Sequence, residues 1–157
     1  MLAVVSGYTI LKMFHIVFAV IWVGGAVTIN VLATRAVRSS DGPRMATFAG
    51  EAGWMGQRIF APSAGLVLIS GILTVLNGHL GFGHAWVIVG LVGVGLTIIT
   101  GAAFLGPAAR RLQPVIEARG PDDPEVRRLV SRLVTVGRID LVVLFLVIAD
   151  MVLKPGA

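Results

Sequence analysis

Two stretches of the sequence, Ile59–Leu76 and Ala85–Ala109, contain no charged residue. Each falls within the roughly 17–25 apolar residues that a helix needs to cross the hydrocarbon core of a bilayer. A helix bonds its own backbone internally, so lipid can serve as its solvent. Two further segments follow the same plan less cleanly. Tyr8–Ala33 is apolar apart from Lys12, His15 and Asn30, and Val134–Leu153 carries Arg138, Asp140 and Asp150. The last spans only if Arg138 reaches one surface and Asp150 lies near the other. The expected fold is all-α. It is a polytopic membrane four-helix bundle, a single transmembrane domain over residues 1–157 with spans near 8–33, 59–76, 85–109 and 134–153.

Composition agrees. Only 13% of residues are charged and 56% are hydrophobic, roughly half the charge share of a soluble domain. With no cysteine, disulfides, thiolate metal sites, thiol catalysis and iron–sulfur clusters are excluded. The net charge of +5 does not imply nucleic acid, because the arginines sit beside apolar spans. The lipid bilayer and its anionic head groups are the simpler partners there. The apolar run from Met13 to Ala33 is too long for a signal-peptide core and reads as a retained span.

The basic residues orient the chain. The link 34–58 holds Arg35, Arg38, Arg44 and Arg58. The link 110–133 holds Arg110, Arg111, Arg119, Arg127, Arg128 and Arg132, and Arg138 follows at the start of the fourth span. The turn "NGHLGFGH" (77–84) has no lysine or arginine. The positive-inside rule therefore makes both arginine-rich links cytoplasmic and places both termini outside, N-out/C-out.

The links themselves predict cytoplasmic amphipathic helices. In "DDPEVRRLVSRLV" (122–134) an aspartate and Pro124 open a helix, and Val126, Leu129, Val130, Leu133 and Val134 recur on one face. Asp41 and Pro43 open a looser version, with Met45, Phe48, Ala52 and Met55 on one side. The same order thus occurs twice, which hints at two hairpins repeated in parallel. Pro62 is expected in the first turn of the second span, where its missing N–H does no harm. Gly93, Thr97 and Gly101 recur every fourth residue in span three. Such spacing serves either a homodimer seam or packing within the bundle.

Polar groups inside these spans need a reason. His15 lies about 10 Å past Tyr8 by helix rise, and Lys12 is one turn away on the same face. Trp22 and then Gly25 follow beneath His15. His79 and His84 flank the outer turn, and Asp150 and Lys154 end the fourth span. The topology therefore gathers all three histidines, Lys12 and Asp150 in the outer half. His15 reads as an axial heme or metal ligand, with Trp22 and Gly25 offering a flat face to a porphyrin edge. The other reading is a histidine hydrogen-bonded to a neighbouring helix, with Trp22 as ordinary filling. His15, His79 and His84 together could hold copper or zinc, or the latter two could be solvated turn residues. Asp150 is read as a partner of Lys12 or a proton carrier, or as paired one turn on with Lys154 at the interface. Asn30 is expected to bond to another helix. No hydrolytic constellation is visible, since Ser63 and Ser70 lack a base.

The pattern Lys12-x-x-His15-x6-Trp22-x-Gly24, followed by Arg35, resembles the first helix of HemJ-type membrane proteins. It is also similar to CopD-type copper-resistance domains and to a predicted four-helix integral membrane family of unknown function. "MGQRIFAPSAGLVLISGIL" (55–73) resembles the HemJ run leading into a proline-containing helix. The HemJ resemblance implies a protoporphyrinogen oxidase binding heme b through His15. That family also carries a lysine shortly after a third-helix tryptophan, and here Trp86 is followed by Val87, Ile88, Val89 and Gly90. The leucine–tyrosine–proline run expected after Trp22 is absent too. The resemblance therefore points to the uncharacterised four-helix family. Its expected role is heme b at His15 in electron transfer, with Trp22 and Gly25 against the porphyrin and Lys12 beside a propionate. The sixth ligand would be Met13, a turn histidine or His15 of a second copy. Copper handling through His15, His79 and His84, or a cofactor-free accessory subunit of a larger membrane complex, are the alternatives.

Overall fold

The computed structural model describes residues 6–39 and 41–155. Four long helices run α1 (Gly7–Ser39), α2 (Gly42–Asn77), α3 (Ala85–Arg119) and α4 (Pro124–Leu153). The first three are long and apolar enough to cross a membrane. In α4, Arg138, Asp140 and Asp150 interrupt the apolar half.

The helices run further than the apolar spans. The arginine-rich segments were expected as links carrying helices of their own, yet they continue the spans without a break. Arginine is a good helix former and nothing terminates the turn where apolar residues give way to basic ones. Pro62 is in the first turn of the α-helical stretch Ala61–Asn77, as expected, but that stretch continues α2 from Gly42. Both α2 and α3 absorb a proline the same way, by a single wide π-helical turn just before it. These turns are Gly56–Phe60 ahead of Pro62 and Gly101–Leu105 ahead of Pro107. Proline has no N–H to give the carbonyl four residues back. The preceding amides reach back five residues instead, Ala61 N–H to Gly56 C=O and Gly106 N–H to Gly101 C=O.

The helix starts follow their sequence signals. Asp123 caps α4, its carboxylate accepting the Glu125 N–H at 2.8 Å, with Pro124 in the first turn. Asp41 precedes α2 and pairs instead with the Arg44 side chain at 3.4 Å. The turn between α2 and α3 holds His79 in the left-handed region, φ 50°, and Gly81 at φ 73°.

Three buried layers stack along the helices. At the arginine-rich end, Ala33 and Ala36 of α1 meet Phe48, Ala49 and Ala52 of α2, Ala109, Leu112 and Ile116 of α3, and Val126 and Val130 of α4. The middle layer joins Trp22, Ala64, Val67, Val94 and Leu144, again from all four helices. The third layer, beside the turn, is Val75, Trp86 and Val87. Buried positions are rich in alanine while Val20, Val92, Phe104 and Leu146 are exposed. That inversion suits a lipid surrounding, where helices associate through close approach of small residues rather than by hiding large apolar ones. Gly93 fits the rule: a Cβ there would collide with Val147 of α4. With Thr97 2% exposed, the small-residue row of α3 packs largely inside the molecule.

Candidate functional site

His15 faces α2. Its Nδ1 lies 3.0 Å from the Val67 carbonyl and 3.3 Å from the Ser70 hydroxyl. A carbonyl only accepts, so Nδ1 carries the proton and donates. Ser70 Oγ in turn donates to the Leu66 carbonyl of its own helix. The ring lies over Gly71, where a Cβ would stand 3.0 Å from His15 Cε1. Glycine at 71 is what lets an imidazole fit between two helices at this depth. With Nδ1 protonated, the Nε2 lone pair is the ring's remaining polar group. Nε2 makes no hydrogen bond among the described residues. It is not sealed either, since the sealed, unpartnered side-chain oxygen or nitrogen among them is Asp150 Oδ2.

The other expected site residues fall in separate places. Lys12 and Met13 are exposed one turn or less above His15. Phe14 and Phe18 stack beside it with ring centroids 6.2 Å apart. Trp22 is 6% exposed at the centre of the middle layer. Gly25 lies against the Phe60 ring, where a Cβ would be 2.6 Å from its edge. The flat face expected for a porphyrin between Trp22 and Gly25 is therefore filled by the chain's own second helix.

The three histidines are not brought together. Gly78 at the end of α2 packs against the Tyr8 ring, which puts the turn about 10 Å above His15 along α1. His79 is in that turn, and His84 stacks on Trp86 at 6.3 Å. Among the described residues no three histidine, aspartate, glutamate or cysteine side chains form a metal-sized group.

Asp150 makes neither expected ion pair. Lys154 turns away and sets its ammonium 5.2 Å from the Trp86 ring centre. Among the described residues Asp150 Oδ2 is buried without a partner. Depth relates it to His15. Trp22 and Leu144 share the middle layer. His15 is seven residues above Trp22 and Asp150 six above Leu144, so both rise about 10 Å from it. His15, Ser70 and Asp150 thus occupy one level. Further down, the Asn30 amide donates to the Gly137 carbonyl at 3.4 Å, tying α1 to α4 as expected, and Arg138 donates to Thr34 Oγ1 at 3.2 Å. Sequence reasoning missed Val67, Ser70 and Gly71 as partners of His15. The signal was slight: a serine–glycine pair in one of the two spans with neither charge nor histidine.

Residues 9–155 match the family described as "Predicted integral membrane protein (DUF2269)". No curated protein and no solved structure matches the chain.

Proposed function

Because the chain belongs to this family of predicted integral membrane proteins, we propose that it is a b-type heme protein of the bacterial inner membrane, held by His15, with a redox role. The observation that supports it is the imidazole itself. Nδ1–H is committed to the Val67 carbonyl, which fixes the tautomer whose Nε2 is a free, unsealed donor. A metal-ligating histidine characteristically gives its other N–H to a carbonyl or carboxylate in this way. Heme would supply one-electron chemistry. The chain supplies orientation through Val67 and Ser70, an apolar flank through Phe14 and Phe18, and a cation at Lys12 for a propionate. Trp22 and Gly25 lock α1 to α2 and so hold the ligand steady, rather than touching the macrocycle. Met13 is two residues from His15 and so projects from the opposite side of α1. A second copy's His15 would be the residue that joins His15 in holding the heme. The kinship with HemJ-type and CopD-type proteins that the first-helix pattern suggests belongs to this reading.

The same reading has all four helices spanning as a bundle, with both termini outside. The arginines of the links and of the lower halves of α2, α3 and α4 are the support. Asp150 then lies in the outer half and Arg138 snorkels to the inner surface.

The test is an absorption spectrum of detergent-purified protein, supplied with heme, oxidised and then reduced with dithionite. Wild type and the His79→Ala and His84→Ala variants should show a Soret band and reduced α and β bands. His15→Ala should lose them while keeping its helical circular dichroism and its elution volume. No Soret band in folded wild type would sink the heme reading. Copper retained through all three histidines, or no cofactor at all, would then decide between copper handling and an accessory subunit.

A further inference from the structure

We propose that a cleft between the arginine-end halves of α2 and α3 is a specific site for the phosphate of an anionic phospholipid. The cleft has a volume of about 380 Å³. It reaches the first π-helical turn, whose Gln57 is in its wall, and lies on the arginine side of the second. Wide turns of this kind recur at functional sites because they displace a helix face from its regular path.

The cleft is made by missing side chains, and Arg110 and Gln57 bring N–H donors to it. Gly50 and Gly53 form its α2 wall. A Cβ at Gly53 would meet nothing within 4 Å, and one at Gly50 only the Gln113 amide oxygen at 3.4 Å. On the α3 side stands Arg110, whose guanidinium folds back over Gly106. Among the described residues Arg110 enters no salt bridge. Gln57 adds an amide to the wall. The Gln113 amide donates to Glu117 at 3.0 Å, so that carboxylate is already occupied and outside the lining. Trp54 stands at the cleft, 59% exposed.

This chemistry fits a phosphodiester at a membrane surface. An unpaired guanidinium is a strong phosphate donor, and an exposed tryptophan sits well at head-group depth. Basic pockets between membrane helices are known sites for anionic head groups. What selects a lipid over free phosphate is the surface above. Helices α2 and α3 pack closely over their lower halves and only sparsely over their apolar ones. There they expose Leu66, Ile69, Ile99 and Phe104, against which an acyl chain can lie. The neighbouring cleft on the other side of α2 lacks this simplicity, because Glu51 lines it together with Arg35 and Arg44. The site is independent of any heme.

Native mass spectrometry of the detergent-purified chain, titrated with dioleoyl phosphatidylglycerol and separately with dioleoyl phosphatidylcholine, tests it. Wild type should retain phosphatidylglycerol preferentially. Arg110→Ala should weaken retention roughly tenfold, the loss of one charge-assisted hydrogen-bonding group. Gly53→Leu should do the same by filling the cleft, with the arginine intact and helix formation favoured. Arg44→Ala, in the other cleft, should retain the lipid as wild type does. Equal retention of the two lipids would overturn the proposal. So would wild-type retention by Arg110→Ala and Gly53→Leu in protein of unchanged helix content. Displacement of the lipid by millimolar inorganic phosphate would overturn the lipid assignment in favour of a free-phosphate site.

Discussion

Replacing Gly71 by alanine tests the His15 seat directly. The new Cβ would stand 3.0 Å from His15 Cε1 and 3.3 Å from Nδ1. Carbon atoms rest comfortably at about 3.5–4.0 Å, so the ring must retreat by about half an ångström. Its tether is the Nδ1 bond to the Val67 carbonyl, 3.0 Å long. A retreat of that size stretches it to about 3.5 Å, where little hydrogen bond is left. The lost bond costs about 0.6–1.5 kcal/mol in a membrane protein. Remaining crowding adds up to about 1 kcal/mol. Alanine's better helix formation returns about 0.5–1 kcal/mol. The net loss is about 1 kcal/mol. Gly65→Ala is the control, in the same helix with nothing within 4 Å of its Cβ, and it should be neutral or mildly stabilising. Equilibrium unfolding by sodium dodecyl sulfate in mixed micelles, followed by tryptophan fluorescence, should separate the two by about 1–2 kcal/mol. A Gly71→Ala protein as stable as Gly65→Ala would refute the tethered-ring account. In heme-loaded protein, Gly71→Ala should also shift the reduction potential and Gly65→Ala should not.

Gly93→Ala drives a methyl into the stiff, β-branched Val147, whereas Gly90→Ala meets only the flexible end of Met151. Gly93→Ala should therefore lose about 1–3 kcal/mol and Gly90→Ala much less, with Val147→Ala partly rescuing the former in the same unfolding assay. Asp123→Ala removes the α4 cap and should cost about 1 kcal/mol, read as a lower thermal midpoint. Asp150→Asn turns an acceptor-only side chain with a sealed, unpartnered oxygen into one that can also donate, and should be at least as stable as wild type. A loss above about 1 kcal/mol would mean that the carboxylate has a partner in the membrane.

Much of this architecture is written locally. Unbroken apolar runs dictate helices, because lipid offers the backbone no other partner. Arginine placement marks one end of the molecule, and helix rise sets the depth of His15 below Tyr8. The aspartate–proline signals begin α2 and α4 at the expected residues. These are one-dimensional properties, each decided within a few turns of chain. What the sequence left open for His15, a ligand or a bond between helices, stayed open because it depends on what lies opposite.

Tertiary packing sets what lies opposite. Val67, Ser70 and Gly71 face His15 only because α1 and α2 meet in one register, and Phe60 fills the space beside Gly25 for the same reason. That Gly93 lies against α4 likewise depends on Val147, more than fifty residues away. In water, burial of large apolar groups would advertise the inner face of each helix. In lipid it does not, because Val and Leu are equally at home on either side. Register is then set by where small residues let helices approach and where a polar group finds a mate. Both are properties of pairs of helices, and no single stretch of sequence contains them. The two π-helical turns follow the same division: proline announces a difficulty locally, and the packed neighbours decide that the helix continues through it.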